Sequence, residues 1–493
     1  MALFGKRSYS TLVRLEGRAT KEATAKFHEG AEGLPTAVIP KLGLTVSRIG
    51  VGGYRLNEAS SDHFAAVSMA LQKKVNVIDT SAHFEQGASE RVIGSAIRSE
   101  LENTTLKRED IVLISKAGYL TQTERRRLGL TDLEHVRIND DSAHSINPKF
   151  LESELNASLH RLGVESLDIF MINSPERMLS ARNRGFSHKQ LYQELARTFE
   201  FLHTEVKKGR ISGFGITSNS IANPHAEDHI SLSEITNAVS KAHLEHFVAV
   251  QAPYNVFERT LIDGVDGSGY TDYWETMKSL DLYQLTNRPL NAIHDGIIRT
   301  LANSSKEIDA DEVDRRLEQL KNSFEKVTSL ESDVSTDPEN HFAAKHYLER
   351  QLLPAVDKDL RDLEEYANRV EEEQDRANFL VWKAQYEDSI HKLIQHLLAY
   401  AHLDTLRKNN DLDRVLGAVC PRLSQGADEA NSPLSVKALR VALAQPQIGT
   451  VLTGMRTNAY VDDAILAAQL TAQSNTQLDD EDRETIAQCP MLN

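Results

Sequence analysis

Short β-branched runs alternate along this chain with amphipathic stretches that stop at glycine, and this rhythm is the pattern of repeated βα units around a parallel sheet. Candidate strands lie at Arg48 to Val51, Val75 to Asp79, Ile111 to Lys116, Leu167 to Asn173, Ile211 to Ile216, Phe247 to Gln251, Leu282 to Leu285 and Thr450 to Leu452. Eight parallel strands close a TIM-type barrel, so the expected fold class is α/β, a (β/α)8 barrel. The early helices have readable ends. Asp62 to Gln72 follows an Asn/Ser-rich turn, Asn147-Pro148 caps and starts a helix running to Arg161 that Gly163 stops, and Lys189 to Lys208 closes at Gly209.

The interval 297–416 breaks the rhythm. No strand signal intervenes, while charged and apolar residues recur at helical spacing: Leu360, Leu363 and Val370 share one face, as do Tyr386, Ile390, Leu393 and Leu397. This predicts a large helical insertion between strands 7 and 8, divided by Asp337-Pro338 and Pro354 into three helices. Its acidic run from Asp357 to Arg376 reads as a solvated face or as a docking surface for a protein partner. The expected organisation is thus a basic segment over 1–35 and a barrel over 36–493 that the insertion interrupts. Gly118 to Ile146 and Ser174 to His188 are the longest other loops, on the side where such barrels carry chemistry.

Charge and composition narrow the function classes. A net charge of −16 disfavours general nucleic-acid binding, and the local patch Arg125, Arg126 and Arg127 reads first as a solvated loop. No apolar run approaches the roughly 20 residues of a membrane span. Cys420 and Cys489 are too few for a disulfide framework and lack zinc-site spacing, and the 18 histidines form no metal-ligand cluster, so no metal is expected. GVDGSGY, Gly264 to Tyr270, does not run from a strand into a helix and reads as a loop. Near the start, Lys6, Arg7, Arg14, Arg18 and Lys21 are accompanied only by Glu16, with Ser8, Ser10 and Thr11 between them. That composition suits a mitochondrial transit peptide, or otherwise a basic tail on a cytoplasmic protein.

The second candidate strand empties into DTSAHFEQGASE, Asp79 to Glu90, a carboxylate at a strand's C-terminal mouth followed by Gly87, Ser89 and Glu90. Here the chain resembles the aldo-keto reductase family, whose motif is Asp-Thr-Ala, a Tyr five residues after the Asp, then Gly and Ser-Glu. KLGLTVSRIGVGGYRL, NPKFLESELNASLHRLGVESLDIFMINSPE, GRISGFGITSN, QAPYNVFER, NRPLN and ALRVALAQPQIGTVLTGMR extend the resemblance in the family's order from Leu42 to Leu466, apart from the insertion.

In that family a hydride passes from NADPH to a carbonyl carbon while a tyrosine tuned by a Lys–Asp pair protonates the oxygen and a histidine orients the carbonyl. The resemblance assigns the ion pair to Asp79 and Lys116, the tyrosine position to Phe84 and the histidine position to Asn173. Phe84 donates no proton, whereas Asn173 still offers an amide donor, and some relatives of the potassium-channel β-subunit type carry Asn there. His83, next to Phe84, is one substitute, although neighbours at a strand end point to opposite sides and it would have to turn inward from the loop; Tyr54 and Tyr119 are the others by barrel position. The nicotinamide carboxamide falls to Thr217, Ser218, Asn219 and Gln251, and the phosphates to Gly454, Met455 and Arg456, with Asp462 and Asp463 near the adenine position. Asn287 stands where relatives carry an aromatic residue that stacks on the nicotinamide. The resemblance therefore implies an NADPH-binding barrel with impaired reductase chemistry, serving a structural or NADPH-sensing role; the alternative is an active reductase of small carbonyl substrates with a non-standard proton donor.

Overall fold

The computed structural model describes residues 14–30, 33–139, 141–179, 185–264, 271–294, 297–303, 309–332, 352–425 and 432–492. Its centre is a closed barrel of eight parallel strands: β3 (Ile49–Gly52), β4 (Val77–Asp79), β5 (Val112–Ala117), β9 (Leu167–Asn173), β10 (Ile211–Thr217), β11 (Phe247–Pro253), β12 (Tyr283–Asn287) and β15 (Thr450–Thr453). Every residue of β5, β9 and β11 is buried, as expected for strands covered by helices outside and by side chains inside. The expected helices form with the expected ends. Asn147 caps Pro148–Leu162, which stops at left-handed Gly163, and Ser187 caps His188–Lys207.

Preceding the barrel, the hairpin of β1 (Thr36–Ile39) and β2 (Leu44–Ser47) sends Ile39, Leu44 and Val46 into one apolar cluster with the lumen residues Val77, Ile114, Met171 and Leu452. It plugs the floor, the end where the strands begin. The floor also receives the start of the described chain: Leu15 bridges Val164, the Ala19 amide donates to Asp168 Oδ1 at 2.7 Å, and Thr20 caps a helix over Lys21–Phe27 whose Thr24 and Phe27 are buried. From Leu15 onward this apolar and capped stretch packs against the barrel floor. Lys6, Arg7, Ser8, Ser10 and Thr11 lie outside the described residues.

The long loop from Gly118 carries structure of its own. It holds a three-stranded sheet of β6 (Tyr119–Thr121), β7 (Val136–Arg137) and β8 (Ser142–His144), and a helix over Gln122–Leu128 that contains Arg125, Arg126 and Arg127. Ser174 to His188 is described only in part, and most of Gly264 to Tyr270 lies outside the described residues.

Beyond β12 the chain forms a hairpin, β13 (Asn291–His294) with β14 (Ile297–Thr300), where helix was expected from residue 297. The alternation within Ile297–Thr300 is too short to register as a strand without its partner. The chain forms two compact units, a barrel unit, Met1–Leu301 with Asp413–Asn493, and a helical unit, Ala302–Leu412. Three helices are described through this region, Ala310–Ser332, Leu352–Ala367 and Glu373–Val419. Pro354 sits in the first turn of the second, at a helix start where the missing amide hydrogen is harmless, and Asp337-Pro338 lies outside the described residues. The apolar face read from the sequence is the helical unit's core: Tyr386, Ile390 and Leu393 pack with Leu320, Val327 and Leu330, flanked by Leu360, Leu363 and Leu397.

Candidate active site

At the barrel's other end, the mouth, the ion pair read from the sequence is formed. Lys116 Nζ lies 2.5 Å from each Asp79 oxygen and donates to the Thr80 carbonyl at 2.9 Å, with both side chains buried. Burial pulls the Lys116 ammonium below its ordinary range, and Asp79 opposes that pull. The pair joins a chain of amides: Gln251 Nε2 donates to Asp79 Oδ1 at 3.1 Å, while Gln251 Oε1 accepts from Thr217 Oγ1 at 3.1 Å and from Asn287 Nδ2 at 3.0 Å. Neighbouring strand ends β4, β5, β10, β11 and β12 thus deliver one connected polar network to the mouth.

Phe84 stands directly beside this network. Its ring centroid is 5.2 Å from Lys116 Nζ, a cation–π distance, and Tyr54 packs edge-on against it at 5.4 Å. The turn that aims it is unusual, since Glu85 (φ 49°) and Gln86 (φ 54°) are left-handed ahead of Gly87. Two non-glycine residues in that conformation cost roughly 1–2 kcal/mol each, so the local conformation is imposed by its surroundings.

His83 does turn inward from the loop. Its ring packs 4.9 Å from Phe84 and 4.8 Å from Tyr119, and its Nδ1 is 2.9 Å from Ser81 Oγ and 3.4 Å from the Asn173 amide nitrogen. Ser81 Oγ already donates to the Lys116 carbonyl, which leaves it to accept an Nδ1–H from His83. Burial, reinforced by Lys116, holds the His83 pKa down to about 4, so the ring is neutral at pH 7. Tyr119, by contrast, accepts a hydrogen bond from Arg177 Nε at 3.3 Å, and Tyr54 is exposed.

Two residues at the mouth escaped sequence reasoning. His144, on β8, donates through Nε2 to the Asn173 carbonyl at 2.7 Å; Gly118 is required beside it, because a Cβ there would strike both groups. Glu176 follows left-handed Ser174 in the Ser174-Pro175-Glu176 turn, and its buried Oε1 accepts from the Asn219 amide at 3.0 Å. A carboxylate three residues past a strand end was the available signal for Glu176. Nothing in the spacing marks His144, which arrives from a hairpin nearly thirty positions upstream of Asn173.

Ser218 accepts from the Ser220 and Ile221 amides, making the tight turn that carries Asn219. Gly454, Met455 and Arg456 form the connection from β15 to the helix Asn458–Ala472, which Thr457 caps. Space around Gly454 is open to 4 Å, and Arg456 leans toward the Tyr460 ring without an ion-pair partner among the described residues. A helix N-terminus with an uncommitted arginine suits a phosphate. At the other end, Asn287 Oδ1 is buried without a partner among the described residues, an acceptor suited to a carboxamide N–H. Asp463, further along, accepts from Ser435 Oγ at 2.7 Å. On these observations the residues fit a nicotinamide nucleotide. A separate cavity of about 300 Å³, lined by Tyr254, Arg259, Asp263, Gln445 and Arg483 among others, contains none of these site residues. Among the described residues no cluster could hold a metal ion and no helix is long and apolar enough to cross a membrane.

The Aldo/keto reductase family model matches residues 48–310, just over half of the chain. The chain belongs to the aldo-keto reductase family. Among curated aldo-keto reductase relatives, it is similar to the NADH-specific methylglyoxal reductase of Escherichia coli (strain K12), 22% identical over 44% of this chain and 58% of that protein. It is also similar to the aldo-keto reductase YhdN of Bacillus subtilis (strain 168), 23% identical over 46% of this chain and 56% of that one. The chain therefore spans less than two thirds of the length of these relatives. A solved aldo-keto reductase from Bacillus halodurans (holo form) overlays with a TM-score of 0.48 at 14% identity, covering 92% of this chain and 95% of that one.

Proposed function

We propose that this aldo-keto reductase family member binds NADPH, reduces carbonyls slowly or not at all, and serves as a structural or NADPH-sensing component of a mitochondrial assembly. Phe84 carries this reading: the aromatic ring beside the Asp79–Lys116 pair has no proton to give. Gln251, Thr217, Ser218 and Asn219 would take the nicotinamide end, and Gly454, Met455 and Arg456 the phosphates. When bound, the nucleotide would supply a hydride. Asn173 still offers an amide N–H to a carbonyl oxygen, and Lys116 keeps positive charge nearby. Neither replaces general acid catalysis, whose loss typically costs about 10²–10⁴-fold.

One observation favours a second reading, an active reductase with a non-standard donor: His83 lies 3.4 Å from the Asn173 amide at the mouth. Its neutrality at pH 7 counts against it, because an imidazole with a pKa of about 4 is mostly without the proton to be delivered. The basic first residues support mitochondrial import, and the acidic helical insertion supports a protein partner. Sizing of the native complex from organelle extracts tests both.

The chemical test uses purified protein with NADPH or NADH and reactive aldehydes, starting with methylglyoxal, the compound in the name of the E. coli relative. We expect negligible aldehyde-dependent nucleotide oxidation, and a gain of about 10²–10⁴-fold in Phe84→Tyr combined with Asn173→His. Efficient wild-type turnover that collapses in Lys116→Met would refute the reading, and its further loss in His83→Phe would establish the second.

A further inference from the structure

Behind the loop that carries Ser218 and Asn219 sits a carboxyl group that the reading above does not use. Glu176 is 1% exposed; its Oε1 accepts the Asn219 amide hydrogen at 3.0 Å, and its own backbone amide and the Ser218 hydroxyl also favour its ionised form. Two independent features aim it there. Ser174, at φ 52° and ψ 53°, folds the chain back at the end of β9, while its own amide donates to the Thr217 carbonyl at 2.7 Å and so locks the turn to the end of β10. The next residues of β10's exit are Ser218, whose hydroxyl oxygen gathers the Ser220 and Ile221 amides, and Asn219, which Glu176 holds.

We propose that Glu176 is a positioning residue for the nucleotide-gripping loop, holding the Asn219 amide so that gain or loss of a proton on its carboxyl changes how firmly Ser218 and Asn219 grip the carboxamide of a nicotinamide nucleotide. This rests on the NADPH-binding reading. An ionised carboxylate makes a charge-assisted bond to the Asn219 N–H, and the protonated acid makes a weaker neutral one. Burial pushes the carboxyl up to about 7, opposed by the Asn219 amide, so both forms are populated near neutrality. Arg177 of the same turn favours the ionised form, and is itself balanced by Tyr119 and Asp228. His229 reaches the same loop through the Ser220 carbonyl at 2.9 Å. The ionised fraction grows as pH rises through about 7, so grip tightens with rising pH.

The test measures NADPH and NADH affinity at pH 6 and pH 8 for wild type, Glu176→Gln and Glu176→Ala, together with amide exchange over Ser218–Ile221 in nucleotide-free protein. NADH lacks the 2′-phosphate, whose own titration is thereby removed from the comparison. The difference between a charge-assisted and a neutral hydrogen bond corresponds to about five-fold in affinity. Wild type is expected to bind about three-fold more tightly at pH 8 than at pH 6, because the carboxyl is only partly converted over that range, and Glu176→Gln, close in shape and unable to ionise, to bind equally at both. Glu176→Ala is expected to speed exchange at Asn219 while the barrel helices stay protected. A pH dependence that survives in Glu176→Gln, or exchange unchanged in Glu176→Ala, overturns the assignment of Glu176 alone. A wild type that binds neither nucleotide removes the NADPH reading, and the grip with it.

Discussion

The two ends of the barrel each bury an acid–base pair, but they hold it differently. On the floor, Asp168 takes the Ala19 amide on Oδ1 and both the Leu113 amide and Arg108 on Oδ2, so two of its three partners are backbone. At the mouth, Asp79 is held by side chains alone in the described network, Lys116 and Gln251. The basic partners differ in kind as well. A guanidinium keeps its charge under all ordinary conditions, whereas a buried lysine can shed its proton. Fixed charge and backbone donors make a structural joint; a titratable amine and rotatable amides make one that can rearrange around a ligand.

The largest expected effect lies on the floor. Asp168→Asn strands a permanently charged Arg108 and should cost about 3–5 kcal/mol in urea unfolding. Asp79→Asn should cost clearly less, about 1–2 kcal/mol, because Lys116 can neutralise where Arg108 cannot. Equal losses at the two sites would break the comparison. Next in size, Arg456→Ala should weaken NADPH binding by about ten-fold or more through loss of a charge-assisted contact, with stability changed by no more than about 0.5 kcal/mol. Parallel titration with NADH sharpens this, since a contact to the 2′-phosphate leaves NADH affinity unmoved.

The last effect is read as a slope against pH rather than as a loss at one pH. Burial drives the His144 pKa down to about 3 despite its bond to the Asn173 carbonyl. Between that value and the ordinary 6.5 the unfolded chain carries the extra proton, so stability is full above 6.5 and is lost as pH falls, by at most about 1.4 kcal/mol per pH unit for this one residue. His144→Gln should flatten the slope of unfolding free energy between pH 6.5 and 4. An unchanged slope would remove His144 from the mouth's proton-sensitive set.

Strand and helix alternation was legible because parallel strands are apolar on both faces and the helices carry local caps, as Asn147, Gly163 and Ser187 do. Asp79, Lys116, Thr217 and Gln251 could be placed from their strand ends, and they meet within hydrogen-bond reach. Side-chain direction in turns was not legible. Strand alternation suggested that His83 points away, yet the left-handed run at Glu85 and Gln86 lies in a loop to which no such periodicity applies. The floor role of Ala19 depends on Asp168, 149 positions later, a pairing that no local pattern carries.

The pairing of β15 with β3 and β12, which sets Val451 opposite Ile49 and Thr450 opposite Leu285, is what turns a sheet into a ring. Because the helical region lies ahead of this last stave, ribosomes must deliver the whole stretch between Asn287 and Thr450 before the ring can shut. At about 5–20 residues per second, that leaves a seven-stave intermediate waiting for roughly ten to thirty seconds with two bare edges. Such edges are templates for pairing with other chains, so newly made protein should depend on chaperones that shield sheet edges more than an uninterrupted barrel of the same sequence would.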